Sequence, residues 1–209
     1  MGYYPIFLDV SRGCCVVIGG GVVARRRVAG LLAAGARVTV VSPVITEELA
    51  QLVLAGAVEY VARAYEPGDL AGYKLAFVAT DDGDVNQAIF SEARSRGVLV
   101  NCADDPARCD FILPAVIRRG ELSVAVSTGG ASPATTRAIR EELDDYLTAD
   151  YVPLVQIAAA VRQELKGERR TAKPEVWNRA LKGEFRRLVS QGMRAQAKAL
   201  LRKTLGVDP

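Results

Sequence analysis

The chain has 209 residues, half of them apolar, with 27 Lys and Arg against 24 Asp and Glu and no histidine. That length holds one full α/β domain and leaves residues over for a smaller part. Apolar runs fall short of the roughly 18 residues a membrane span needs, and Met1-Gly2-Tyr3-Tyr4-Pro5-Ile6 puts no basic region ahead of its short apolar stretch. Ile6 stands where an N-myristoylation signal has Ser or Thr. Membrane insertion, secretion and lipid anchoring are therefore not expected, and a cytoplasmic protein is.

Without histidine the usual general base near neutral pH and the commonest nitrogen ligand for metals are missing, so proton transfer falls to Asp, Glu, Lys, Tyr or Cys. Four cysteines, two of them adjacent at Cys14 and Cys15, do not form a disulfide framework, because neighbouring strand residues point to opposite faces. Cys102 and Cys109 are too far apart for a zinc knuckle, and all four read as small buried hydrophobes. From Arg162 onward 13 Lys and Arg face 5 Asp and Glu, a net +8. A basic tail suits an anionic partner, although solvated helix faces explain it as well.

In chain order, a strand is expected at 14–18, a helix at 22–34, strands at 37–41, 58–61 and 75–79, a helix at 85–96 and a strand at 98–101. Gly35 and Gly97 fall where the two helices end. This βαβ alternation predicts a mainly parallel, doubly wound α/β sheet with ligands beyond the carboxyl ends of its strands. After a 104–114 loop a strand at 121–126 and a helix at 133–147, opened by Ser132-Pro133, predict a small second module. From Asp150 the periodicity is helical, with Val152, Leu154, Ile157, Val161 and Leu165 on one face. A second helical group around 177–205 follows the polar stretch 166–171.

The first strand runs into Gly19-Gly20-Gly21-Val22-Val23-Ala24, which matches the G-x-G-x-x-G/A turn ahead of a helix. Gly19 permits the tight turn, Gly21 lets the backbone approach a pyrophosphate, and Ala24 lets the helix pack close while its free amides face the anion. The second strand ends not in Asp or Glu but in Val41-Ser42-Pro43-Val44, leaving Ser42 or the backbone of Pro43 and Val44 to meet the ribose. No Arg or Lys follows closely to neutralise the extra phosphate of NADP, so NAD is the expected cofactor. In Ala79-Thr80-Asp81-Asp82, Thr80 is the candidate for contacting the cofactor, and Asp81 or Asp82 is the expected helix cap.

Asn101-Cys102-Ala103-Asp104-Asp105-Pro106 sets two carboxylates just beyond the fifth strand. In a histidine-free chain they are candidates for the base, and Asp-Asp-Pro is equally a good turn. Ser127-Thr128-Gly129-Gly130-Ala131-Ser132-Pro133 joins a strand to a helix with small residues, hydroxyl donors and free amides, a second cradle for an anion. Arg137 and Arg140 lie on the helix that follows, and Arg118 and Arg119 precede the strand, so a carboxylate-rich ligand matches.

Taken in order, Tyr4-Pro5-Ile6-Phe7-Leu8, the Gly19–Ala24 loop with Arg25 and Arg26, Ala79-Thr80-Asp81-Asp82 with Val85-Asn86, Asn101 to Asp104, Phe111-Ile112-Leu113-Pro114-Ala115, and Ser127 to Pro133 with Arg137 resemble the precorrin-2 dehydrogenase and sirohydrochlorin ferrochelatase family. That family also forms the amino-terminal module of siroheme synthase. The resemblance is strong over about residues 3–147 and weaker in the helical tail.

It implies a Rossmann-like NAD-binding domain at 1–115, a small α+β segment at 116–147 for dimerisation and the substrate cleft, and a helical carboxyl-terminal domain at 148–209. The implied reaction is NAD-dependent oxidation of precorrin-2 to sirohydrochlorin, with Fe2+ as a further substrate in members that also insert iron. The resemblance implies NAD at the glycine loop, with Val22, Val23, Pro43 and Val44 as contacts, beside Gly19, Gly21, Ala24, Ser42 and Thr80 from the reading of the motifs themselves. Asp104 is implied as the essential carboxylate, and as a transient metal ligand where iron is inserted. Thr128, Gly129, Gly130, Ser132 and Arg137 are the implied substrate contacts. Thr128 stands where some relatives carry a serine that can be phosphorylated. A homodimer is implied, with neither nucleic acid nor membrane as partner.

Two other classes compete. An NAD-sensing regulator would engage nucleic acid through the basic tail, but that tail lacks a recognition-helix motif. A dehydrogenase of small hydroxy or keto acids would ordinarily use the histidine this chain does not have.

Overall fold

Cys15-Val16-Val17-Ile18 is apolar at every position, so a strand made of it must be covered on both faces. A computed structural model describes residues 2–103 and 105–207, and in it this run forms β1 (Cys14–Ile18) at the centre of a five-stranded parallel sheet. The spatial order is β3 (Glu59–Val61), β2 (Arg37–Val41), β1, β4 (Leu75–Val78), β5 (Leu99–Cys102). Successive strands are therefore added first to one side of β1 and then to the other, and at this switch between β1 and β4 a crevice opens above their carboxyl ends.

Alternate residues of each strand go to opposite faces. Cys15 and Val17 pack with Val38, Val40, Leu75 and Phe77 under α1 (Val22–Leu32) and α2 (Glu47–Leu54). Val16 and Ile18 pack with Val41, Ala76, Val78 and Val100 against Ile89 and Ala93 of α3 (Gly83–Arg96). This is the doubly wound, Rossmann-like arrangement that the βαβ rhythm predicts. The helix expected at 22–34 ends at Leu32, and the strand expected at 98–101 begins at Leu99. Helix α2 is an addition to the elements anticipated. Its start is nonetheless written in the chain: Thr46 accepts from the Leu49 amide, and Glu47 and Glu48 fill the first turn, where the helix dipole favours negative charge.

Contacts divide the chain into two compact units, Met1–Ile112 and Leu113–Pro209. The second begins with an antiparallel hairpin of β6 (Ala115–Arg119) and β7 (Leu122–Val126), joined by Gly120-Glu121. The sequence reading found β7 and took residues 104–114 as loop, but assigned no strand to β6. Arg118 and Arg119, expected ahead of the strand, lie within β6 itself. Arg119 reaches Asp144 at 2.6 Å and the Leu147 carbonyl at 3.1 Å, tying the hairpin to α4 (Pro133–Tyr146).

The tail resolves into α5 (Tyr151–Gly167), α6 (Pro174–Ala180), α7 (Glu184–Ser190) and α8 (Arg194–Leu205). Ile157, Val161 and Leu165 of the anticipated face are buried against Phe185, Leu188 and Leu201, whereas Val152 and Leu154 are only half-buried. Glu164 on α5 bridges to Lys198 at 2.8 Å and Arg202 at 3.0 Å on α8. Arg186 stacks on the Tyr151 ring at 4.3 Å and donates to its hydroxyl. Part of the tail's positive charge is thus committed within its own fold.

The connection from β3 to β4 has no regular structure and is anchored by two carboxylates. Glu92 on α3 accepts from the Tyr65 hydroxyl at 2.6 Å, from the amides of Gly68 and Leu70, and from Arg96. Asp69 takes Arg63 in a bidentate pair, both distances 2.7 Å, and accepts from the Glu66 amide. Burial, and then the bond to Glu92, push the Tyr65 phenol above its ordinary value of 10.0. The folded chain therefore holds this proton more tightly than the unfolded chain, so the stability it lends is complete below about pH 10 and drains away above it.

Tyr65→Phe is expected to cost about 1 kcal/mol at pH 8 in urea unfolding. The gap to the wild type should narrow as pH rises from 8 to 11, and a gap independent of pH would contradict this account.

Candidate functional site

The crevice above β1 and β4 is a cleft of about 370 Å³. Its floor is the loop after β1, Gly19-Gly20-Gly21, with Ile18 beneath it. One wall is Ser42-Pro43-Val44 after β2 with Ala64 and Tyr65 after β3. The other is Ala79, Thr80 and Asp82 after β4 with Val85 of α3. Gly19, Gly21, Ser42, Pro43, Val44 and Thr80, all singled out from the sequence, are brought together on this surface. Val22 and Val23 follow the glycines on the first turn of α1, 53% and 38% exposed, and Ala24 is fully buried on the inner face of that helix.

The three glycines differ in what they make possible. At Gly19 a Cβ would overlap the Ala79 carbonyl, and the backbone there has φ +115°. At Gly20 a Cβ would overlap the Val44 carbonyl and come within 2.8 Å of Ser42 Oγ. Gly21 has open space around it and an extended backbone at φ −82°. Gly19 and Gly20 therefore let three strand ends converge, whereas Gly21 leaves room for something not made of protein. The sequence reading gave Gly20 no role; its place as the middle glycine of three was the available signal. Tyr65, which no motif marks, was also missed.

The floor is electropositive without any cationic side chain. No side chain caps α1, its first turn carries no acidic residue, and the first bond of the helix runs from the Arg25 amide to the Gly21 carbonyl at 3.0 Å. The amides of Val22, Val23 and Ala24 precede that bond and face the anion-binding end of the helix dipole. These features fit a dinucleotide pyrophosphate: free amides, a small-residue approach at Gly21 and apolar walls. Ser42, proposed for the ribose, is buried and donates its hydroxyl to the Val44 carbonyl at 2.7 Å, which shapes the turn and leaves only its oxygen lone pairs for a ligand. Thr80 accepts the Asp82 amide on Oγ1 and the Asn86 side-chain amide on its carbonyl. Of the two candidate caps, Asp82 holds the start of α3 through the amides of Asp84 and Val85. Asn86 Oδ1 is buried without a hydrogen-bond partner among the described residues, next to the Thr80 wall.

Asp104 lies outside the described residues. Asp105 caps a short 3-10 turn at Pro106–Arg108 and pairs with Arg108 at 2.6 Å, so it serves the turn. The Cys109 thiol sits among the Cys102 amide and the carbonyls of Cys102 and Asp105, each at 3.2 Å. Burial pushes its pKa above the ordinary thiol value, keeping it protonated. Among the described residues no group of three or more His, Cys, Asp or Glu could hold a metal ion.

In the second unit the Ser127–Ser132 loop closes on itself. Thr128 Oγ1 accepts the Ser132 amide at 3.0 Å and lies 3.0 Å from Thr136 Oγ1, and Ser132 caps α4 at the Thr135 amide. Gly129 and Gly130 are exposed at the tip, and Arg137 is exposed on α4. Thr128, Gly129, Gly130, Ser132 and Arg137 thus share one loop and helix start.

The glycine geometry separates two variants. Gly20→Ala should destabilise the chain by about 1–3 kcal/mol, since backbone must move to admit the methyl group. Gly21→Ala should leave stability within about 0.5 kcal/mol and weaken NAD(P) binding about tenfold by occupying the phosphate approach. Melting curves and dinucleotide titrations measure both; equal behaviour of the two variants would refute the assignment.

Comparison with known proteins agrees with this geometry. A family model described as NAD(P)-binding matches residues 6–115, and one described as sirohaem biosynthesis protein central matches 119–146. The chain is 39% identical over 207 residues to siroheme synthase 1 of Pectobacterium atrosepticum, covering 98% of this chain and 43% of that protein. It is 40% identical over 213 residues to a siroheme synthase of Nitrosospira multiformis, covering 98% and 45%. The chain thus spans less than half the length of these relatives. Among solved structures, SirC, a precorrin-2 dehydrogenase, superposes with a TM-score of 0.76 at 29% identity, covering 94% of this chain and 99% of that one. With its glycine-floored cleft and a family model that matches residues 6–115, more than half of its length, the chain belongs to the NAD(P)-binding family.

Proposed function

We propose that this protein oxidises precorrin-2 to sirohydrochlorin with NAD as hydride acceptor, in the cytoplasm. The observation that carries the reading is the coincidence of the glycine-floored cleft with a match to 99% of the chain of a precorrin-2 dehydrogenase. NAD, when bound, takes up the hydride, so the protein needs no redox group of its own. The first-turn amides of α1 would hold the pyrophosphate, Pro43 and Val44 would meet the adenosine ribose, and Thr80 would contact the nicotinamide half.

The oxidation removes one hydride and one proton from the macrocycle. Asp104 is the group proposed to take the proton or to hold the developing cation, work that a chain with no histidine leaves to Asp, Glu, Lys, Tyr or Cys. The Thr128–Ser132 loop and Arg137 are proposed to receive substrate carboxylates, by the same helix-start amides and by a guanidinium suited to bidentate pairing. A homodimer built through 116–147 is part of the reading. What supports it is that α4 has no buried residue in the single chain, while Val116, Ile139 and Tyr146 expose apolar surface. No helix among the described residues is long and apolar enough to cross a membrane.

Purified protein with NAD is expected to convert precorrin-2 to sirohydrochlorin, followed by absorbance. Asp104→Ala should slow this by about 100-fold or more while NAD binding stays intact. An active alanine variant removes Asp104 from the mechanism. Supplying Fe2+ to sirohydrochlorin with and without protein decides whether iron insertion accompanies the oxidation.

A further inference from the structure

Directly before Ala64 and Tyr65, the residues that line the cleft after β3, stands a cation that no sequence motif marks, Arg63. Between Arg37, at the start of β2, and Arg63 there is no Lys or Arg. Arg63 follows the end of β3, and β3 lies in register with β2, Val61 opposite Val41. The Arg63 amide and the Ser42 amide both donate to the Val61 carbonyl, at 2.9 and 3.2 Å. Residue 63 is therefore immediately beside the Ser42-Pro43-Val44 turn, the place where a doubly wound nucleotide domain meets the adenosine ribose and where an arginine accommodates a 2′-phosphate.

That guanidinium is already engaged. Asp69 takes both of its terminal nitrogens at 2.7 Å, the Ala64 carbonyl accepts at 2.9 Å, and Glu66 stands 3.8 Å away. Asp69 is itself held by the Glu66 amide at 2.9 Å, and its side chain is only 13% exposed. A carboxylate fixed in this way keeps its place against a phosphate arriving from solution, and two carboxylates repel a dianion placed beside them.

We propose that Asp69 sets the choice of dinucleotide. By occupying Arg63 it withholds a guanidinium from the 2′-phosphate of NADP, so the cleft favours NAD through a masked cation rather than through an acidic ribose ligand after β2. The inference rests on the reading of the cleft as a dinucleotide site with the ribose at β2, and it extends that reading to a named selectivity device.

The test is fluorescence titration of the full chain with NADH and with NADPH. Wild type should bind NADH at least about tenfold more tightly than NADPH. Asp69→Asn, which keeps an acceptor for the Glu66 amide, should tighten NADPH binding about tenfold and leave NADH within about threefold. Adding Arg63→Met to Asp69→Asn should abolish that gain, while Arg63→Met alone, which leaves Asp69 and Glu66 without their counter-ion, should bring NADPH no closer to NADH than in the wild type. Should Asp69→Asn fail to fold, Asp69→Ser offers the same release with a hydroxyl acceptor. A clamp that merely staples the loop would shift both cofactors together and leave their ratio unchanged, which overturns the proposal. Wild type binding both dinucleotides equally also overturns it but leaves the cleft assignment standing; a protein that binds neither sinks both.

Discussion

The close approach of backbone to backbone at Gly19 and Gly20 is the constraint on which the site depends. Gly19 lies against the Ala79 carbonyl and Gly20 against the Val44 carbonyl, and the Gly20 carbonyl in turn accepts the Thr46 amide at 3.0 Å. The ends of β1, β2 and β4 are thereby drawn to a single point. A side chain at either position would push one of the neighbouring turns away. With those turns in place, the amides opening α1 are left as the polar floor of a cleft whose walls are largely apolar.

The economy of charge in the first unit follows from the same geometry. The floor is positive through oriented amides, which neither titrate nor require a counter-ion. The cationic side chains near the rim are paired instead: Arg25 with Glu48 at 3.5 Å, and Arg63 with Asp69. Glu92 and Asp69 hold the irregular β3–β4 connection by accepting its amides and side chains, and so give a segment without secondary structure a defined face toward the cleft. In the second unit the polar groups of the Thr128 loop bind one another, leaving Gly129, Gly130 and Arg137 exposed around the start of α4.

The chain alone told a good deal, and for a physical reason: both helical and strand periodicity are local. Continuous apolar runs marked the buried strands, the Gly19–Ala24 spacing marked the nucleotide turn, and Ser132-Pro133 marked the start of α4. Where the code was short, it was passed over. Helix α2 has only eight residues, and β6 mixes Val116 and Ile117 with two arginines, so its periodicity is faint until β7 pairs with it. The cysteines read as plain hydrophobes, yet Cys109 is hydrogen-bonded to three backbone groups, because a loop folds back around it.

What tertiary structure alone decided is which groups are free. Ser42 reads as a ribose ligand until its hydroxyl is found on the Val44 carbonyl, and Asp105 reads as a candidate base until it is found capping a turn and pairing with Arg108. Arg63, more than twenty residues beyond the end of β2, has no connection in the sequence to the Ser42-Pro43-Val44 turn, and strand pairing brings it beside that turn. A sequence names donors, acceptors and charges, and it fixes those whose partners lie within a helical turn or a tight loop. Partners assigned across strands depend on the whole sheet being assembled, and for that reason the glycine turn was legible in the chain while the Arg63–Asp69 pair near it was not.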